Sequence, residues 1–177
     1  MIRVLFICNG NICRSPMAEY IMKDIVSREG KGADDSAVDF QITSAATSRE
    51  EIGNDIYPPA KRMLDIQKVK YDRHQAHQVT AAEMDEADYV LIMDERNRGN
   101  LARLFGADFE RKYAAKTHLL MEFADGGEDG APREIPDPWY SGDFNAAYNA
   151  ILAGCEGLLA CIKPKTSTSK AKKRPST

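Results

Sequence analysis

The residues best suited to chemistry stand near the start of the chain, where the apolar run Val4-Leu5-Phe6-Ile7 leads into Cys8-Asn9-Gly10-Asn11-Ile12-Cys13-Arg14-Ser15-Pro16. A free cysteine titrates near pH 8.5, and a helix N-terminus with a nearby cation lowers that to roughly 3.5–7.5. Cys8 is expected to sit in such a place and to be a thiolate at neutral pH. Arg14 offers a planar fork that grips two phosphate oxygens at once, which a lysine cannot do. A nucleophile and a phosphate clamp on one loop point to phosphoryl transfer through a phosphocysteine. A lone cysteine at a strand end would read as a small buried hydrophobe. Packing alone, however, has no use for an arginine, two asparagines and a glycine at these offsets.

The elements around this loop follow from pattern. Four apolar residues in a row suit a parallel strand covered on both faces. Ser15 reads as an N-cap and Pro16 as the first helical position. Loop N–H groups turned inward, with the helix dipole behind them, then form an anion cradle made of Asn9, Gly10, Asn11, Ile12, Cys13, Arg14 and Ser15. Met17, Ala18, Ile21, Met22, Ile25 and Val26 keep helical spacing over 16–28. Residues 30–36 read as a polar loop and 38–42 as a strand ending at Thr43-Ser44. Pro58-Pro59 open a short helix, and Thr80 with Glu83 has the spacing of a capping box. Residues 89–93 are a continuous apolar strand, followed by a helix with Leu101, Leu104 and Phe105 on its apolar side and Gly106 at its C-cap. Residues 117–121 read as the last strand, 122–133 as an acidic glycine-rich loop, and 144–162 as a final amphipathic helix carrying Cys155 on its apolar stripe. Strands alternating with helices predict an α/β fold: a single-domain three-layer sandwich, its parallel sheet of about four strands flanked by helices on both faces. Ligands bind such sheets at the carboxyl ends of the strands, where Cys8 lies.

Composition narrows the classes of function. The chain has 177 residues, 43% hydrophobic and 29% charged, which suits one globular domain. No uninterrupted apolar run approaches the ~20 residues of a membrane span, so no stable membrane insertion is expected. Met1-Ile2-Arg3 leads straight into the first strand without an export-signal pattern, so a cytoplasmic location and reduced cysteines are expected. Residues 163–177 carry six basic side chains and no acidic ones. Removing those six from 24 leaves 18 against 27 acidic residues, so 1–162 has a charge of −9. An acidic body speaks against nucleic acid as a partner. The expected division is a domain over 1–163 and a disordered basic tail over 164–177.

Cys8 to Arg14 is the C-x5-R pattern of cysteine phosphatases, and Val4 to Pro16 closely resembles the opening of the low-molecular-weight protein tyrosine phosphatases. Three further stretches match in order: Thr43-Ser44-Ala45-Ala46-Thr47-Ser48 with Glu51-Ile52-Gly53-Asn54, Met93-Asp94-Glu95 with Asn97, and Asp137-Pro138-Trp139-Tyr140. The resemblance covers about residues 2–163. It implies a two-step hydrolysis of phosphotyrosine on proteins, with inorganic phosphate as product, no cofactor and no metal. It makes Asp137 the general acid, although an Asp-Pro pair taken alone is usually only a turn. It implies that Trp139 and Tyr140 wall the substrate ring, and that Ser15 hydrogen-bonds the thiolate. Asn11 and Ser44 become supports of the loop, and Cys13 becomes a redox partner that protects Cys8. His74 is expected to support structure, and the chain to act as a monomer or weak dimer.

Asn9 and Glu50 depart from the family pattern at the pocket rim, and a carboxylate at Glu50 would disfavour acidic peptides. Three rival readings remain. A thioredoxin-coupled arsenate reductase shares the loop but needs two further cysteines, and none occurs between Cys13 and Cys155. A protein-arginine phosphatase resembles the loop with threonine in place of Ile12. A non-catalytic phosphate-binding module would not need Cys8, Arg14 and Asp137 together.

Overall fold

The computed structural model describes residues 1–29, 38–124 and 133–162. The expected 30–36 loop, the centre of the 122–133 loop, the boundary at 163 and the 164–177 tail lie outside them. Four parallel strands form one sheet in the order β2-β1-β3-β4: β1 (Ile2–Cys8), β2 (Phe40–Ala46), β3 (Tyr89–Ile92) and β4 (Thr117–Leu119). β1 is central, and its alternation feeds two cores. Val4, Phe6 and Cys8 join one hydrophobic cluster, while Leu5 and Ile7 join the other. A strand covered on both faces has no polar side, which is why its sequence runs apolar without a break.

The first cluster packs against α1 (Arg14–Glu29), α2 (Pro58–Ile66) and α6 (Phe144–Ile162), through Met17, Ile21, Leu64, Ile151 and Leu158. The second takes Met84 from α3 (Ala81–Glu86), Leu101 from α4 (Glu95–Phe105), and Phe109 and Tyr113 from a π-helical turn. These are the two helical layers of the expected sandwich. By length and composition α6 could cross a membrane. Here Ala147, Tyr148, Ile151, Cys155, Leu158 and Leu159 are buried along one side of it, as in a core helix.

Several boundaries differ from the sequence reading. α1 begins at Arg14, with Met17 N–H bonded to the Cys13 carbonyl at 3.1 Å, so Ser15 is not an N-cap but a buried residue of the first turn. Pro16 is then third in the helix, where its missing N–H still costs nothing. β2 runs past Ser44 to Ala46, because parallel pairing with β1 continues to Cys8↔Ala46. β4 stops at Leu119 and gives way to a 3-10 turn over Leu120–Phe123. Leu104 faces outward, 40% exposed, while Leu101 is buried and Phe105 packs half-buried against the second cluster. The capping box of Thr80 and the Gly106 C-cap of α4 are both formed.

The 3-10 turn is pressed against α6 at two glycines. A Cβ at Gly157 would lie 1.6 Å from the Phe123 carbonyl oxygen, and one at Gly154 would lie 2.6 Å from Leu120 Cγ. Backbone cannot yield as a flexible side chain can. Gly157→Ala is therefore expected to destabilise the fold by about 3 kcal/mol, measured by urea denaturation; an unchanged midpoint would show that the turn is free to move away.

Candidate functional site

The loop after β1 is held from outside by backbone bonds. Thr47 N–H donates to the Cys8 carbonyl at 2.9 Å, Ser48 N–H to that of Asn9 at 3.0 Å, and Tyr57 N–H to that of Ile12 at 2.9 Å. The chain reverses at Asn11, whose φ of 58° is left-handed. Asparagine tolerates that region better than most side chains. Its carbonyl meets His74 Nε2 at 2.7 Å, and its Oδ1 accepts the His77 N–H at 3.3 Å. The neighbouring histidines thus serve different ends: His74 buttresses the loop, while the His77 ring bonds Glu83 at 2.6 Å. That hydrogen bond to Glu83 raises the His77 pKa.

A buried chain of hydrogen bonds runs from α1 to the sulfur, and its direction is fixed at one end. The Glu19 carboxylate can only accept, so Ser44 donates to its Oε2 at 3.0 Å. Ser44 then accepts from Asn11 Nδ2 at 3.0 Å, and the same amide donates to Ser15 Oγ at 2.8 Å. Ser15 Oγ lies 3.0 Å from Cys8 Sγ, and it donates its proton there when the sulfur is a thiolate, which can only accept. Asn11 N–H also donates to that sulfur, at 3.3 Å. A hydroxyl and a backbone N–H thus converge on the sulfur of Cys8, a residue that is 4% exposed.

Arg14 is 2% exposed and gripped from two sides. One terminal nitrogen, Nη1, donates to Asp94 Oδ2 at 2.7 Å and to the Ile135 carbonyl at 2.9 Å, while Nη2 reaches Asp137 Oδ2 at 3.4 Å. Burial by itself would lower the arginine pKa, but Cys8, Asp94 and Asp137 together raise it. Asp94 divides its oxygens. Oδ2 takes the guanidinium, and Oδ1 accepts the Asn97 N–H at 3.0 Å in the capping box of α4. Asp137 does the same at α5 (Pro138–Ser141), where Oδ1 accepts the Trp139 N–H at 3.1 Å. The short helix thereby sets the carboxyl group over the pocket.

One pocket collects Cys8, Asn9, Gly10, Ile12, Cys13, Arg14, Glu50, Asp137, Trp139 and Tyr140. Trp139 is 51% exposed and leans on Tyr57 with ring centroids 4.9 Å apart. Tyr140 is still more open. Burial, followed by the proximity of Cys8, pushes the Cys13 thiol well up. The sequence reading missed four residues here. Glu19 ends the hydrogen-bond chain, and Tyr57 backs Trp139. Glu51 also lines the pocket, its Cγ within 3.3 Å of where a Cβ on Gly10 would lie. Asp94 was matched as a motif but given no role; its Asp-x-x-Asn capping spacing was the signal that could have placed it.

A sheet of this order, with a sulfur facing the Asn11 N–H and the Ser15 hydroxyl and a buried guanidinium lining the same pocket, fits a receptor for a tetrahedral oxyanion. A family model described as low molecular weight phosphotyrosine protein phosphatase matches residues 3–168. The chain belongs to that family. It is 35% identical over 163 residues to the low molecular weight protein-tyrosine-phosphatase YfkJ of Bacillus subtilis, covering 92% of this chain and 97% of that one. The crystal structure of YfkJ superposes with a TM-score of 0.78 at 34% identity, covering 92% and 94% of the two chains. The structure of DARP, a drosophila arginine phosphatase, superposes with a TM-score of 0.77 at 30% identity, covering 93% and 99%.

Proposed function

We propose that the chain hydrolyses phosphotyrosine on proteins in two steps at this pocket. The carrying observation is the convergence of the Ser15 hydroxyl and the Asn11 N–H on Cys8 Sγ, in one pocket with Arg14 and Asp137. In the first step the sulfur attacks phosphorus in line; an S–P bond forms and the bond from phosphorus to the tyrosine oxygen breaks. Arg14 and the loop amides hold the equatorial oxygens as charge develops. Asp137 gives its proton to the leaving tyrosine oxygen. In the second step Asp137 takes a proton from water, which attacks phosphorus and releases inorganic phosphate and the Cys8 sulfur. A thiol at the floor and aromatic rings at the mouth favour the long phosphotyrosine side chain over phosphoserine.

The supporting roles divide as the contacts do. Asn11, Ser15, Ser44 and His74 hold the loop, Trp139 and Tyr140 border the ring, and Glu50 stands at the rim. Cys13 serves as redox partner: a peroxide oxidises Cys8 to a sulfenic acid, and the Cys13 thiol displaces water to form a disulfide. The enzyme acts without cofactor, as a cytoplasmic monomer or weak dimer. Phosphoarginine is the second reading, supported by the likeness to DARP and by the Glu50 and Glu51 carboxylates at the mouth, which suit a guanidinium group. Ile12 on the pocket wall speaks for phosphotyrosine.

Asp137→Ala tests the mechanism. Turnover of phenyl phosphate should fall by about 10³-fold, and that of an aryl phosphate with an activated leaving group should fall far less. Equal losses across leaving groups would remove Asp137 from the acid role. Phosphotyrosine and phosphoarginine compared on the wild-type protein decide between the two substrates.

A further inference from the structure

A second, shallower groove lies beside the mouth of the Cys8 pocket and shares Asn9 with it as a wall. Its floor is Thr47 and Ser48, the same residues whose N–H groups bond the carbonyls of Cys8 and Asn9. Its far side is the last turn of α4, joined to that floor by Asn100 Nδ2 donating to Thr47 Oγ1 at 3.4 Å. Arg103 and Leu104 complete the lining, and Arg103 is its one charged side chain. Arg103 donates to the Asn100 side chain, which keeps the guanidinium on the groove side of the helix. Leu104 is exposed beside it, giving an apolar surface for the stem of a bound side chain.

The charges around the site are therefore sorted. Glu50, Glu51 and Asp137 line the Cys8 pocket, where the cation Arg14 is already paired with Asp94 and Asp137, and Arg103 stands in the adjoining groove. A polypeptide with its phosphotyrosine in the pocket must leave along the rim, and each extended residue advances it by about 3.3–3.6 Å. The geometry points to Arg103 and Leu104 as a docking position for an acidic residue of the substrate that flanks the phosphotyrosine. This inference rests on the phosphotyrosine reading of the same site. It makes the groove, and not only the pocket, a determinant of which phosphoproteins are processed. Acidic neighbours are accepted on the α4 side although Glu50 and Glu51 repel them at the mouth.

The test uses the full chain and phosphotyrosyl peptides in which each flanking position is in turn Glu, Ala or Lys. An exposed ion pair of this kind changes kcat/KM by about two- to fivefold. Wild type should prefer Glu over Lys at one or two positions on one side of the phosphotyrosine. Arg103→Met should bring that ratio to within about twofold of unity, and Arg103→Glu should invert it, at those positions only. Hydrolysis of free phosphotyrosine should be unchanged in both variants. An equal Glu/Lys ratio in all three proteins, or no preference in wild type, overturns the groove assignment and leaves the phosphotyrosine reading standing. Loss of activity on free phosphotyrosine in both variants also overturns it, because Arg103 would then act on the pocket. Failure of the wild-type protein on every phosphotyrosyl peptide overturns the phosphotyrosine reading itself, and the groove with it.

Discussion

Replacing Cys8 with serine is expected to cut turnover of p-nitrophenyl phosphate by at least about 10⁴-fold while the protein still folds and still binds inorganic phosphate. The exchange keeps the shape of the side chain and its contacts with Ser15 Oγ and the Asn11 N–H. It removes the one nucleophile that needs no partner to activate it. A hydroxyl requires a neighbouring base, and the nearby imidazoles are committed elsewhere: His74 to the Asn11 carbonyl, His77 to Glu83. Phosphate binding is expected to survive because the amides and Arg14 are untouched. Calorimetric titration with phosphate and a stopped assay measure the two halves. A serine variant keeping a hundredth of the activity would mean that the phosphoryl group passes through another atom.

Asp94→Ala is expected to damage both turnover and stability, by a different route. Arg14 loses the carboxylate at 2.7 Å and keeps Asp137 at 3.4 Å and the Ile135 carbonyl. Truncating one partner of a buried ion pair costs about 3–5 kcal/mol. A guanidinium released to tilt by an ångström costs about 10²-fold in turnover. Inorganic phosphate offers the stranded cation a new anion, so added phosphate should raise the melting temperature of Asp94→Ala more than that of wild type. Asn97→Ala is the control, since it removes the other half of the capping box and leaves the Arg14 grip in place. Equal losses in the two variants would make Asp94 a helix cap and nothing more.

What the sequence disclosed depended on how local the governing forces were. The unbroken apolar run of β1 is a nearest-neighbour pattern and located the sheet at once. The capping box of Thr80 and Glu83 spans three residues and was equally plain. Ser15 misled because a serine before a proline is a good cap by local rules, yet burial beside Cys8 turned its hydroxyl to the sulfur. Glu19 was hidden for a related reason: a glutamate on an amphipathic helix reads as solvated, and its partner Ser44 is 25 residues away on another element. Tyr57 becomes visible as part of the site only when Trp139, far along the chain, folds over it. The end of β4 was misplaced because residues 120–123 turn into a 3-10 helix that packs on α6 at Gly157, a contact between distant parts of the chain that no local pattern announces.

The central position of β1 also bears on how the molecule comes into being. The strand that carries Cys8 is made before both of its sheet neighbours, which are supplied by residues 40–46 and 89–92. An apolar strand waiting with both edges bare is a hazard for aggregation. Arg14 gains its first carboxylate only at residue 94, and Asp137 arrives later still. A shortened or half-folded chain therefore holds Cys8 beside an Arg14 that lacks its carboxylates, so catalysis is expected only once residues as far as Asp137 have been made and assembled.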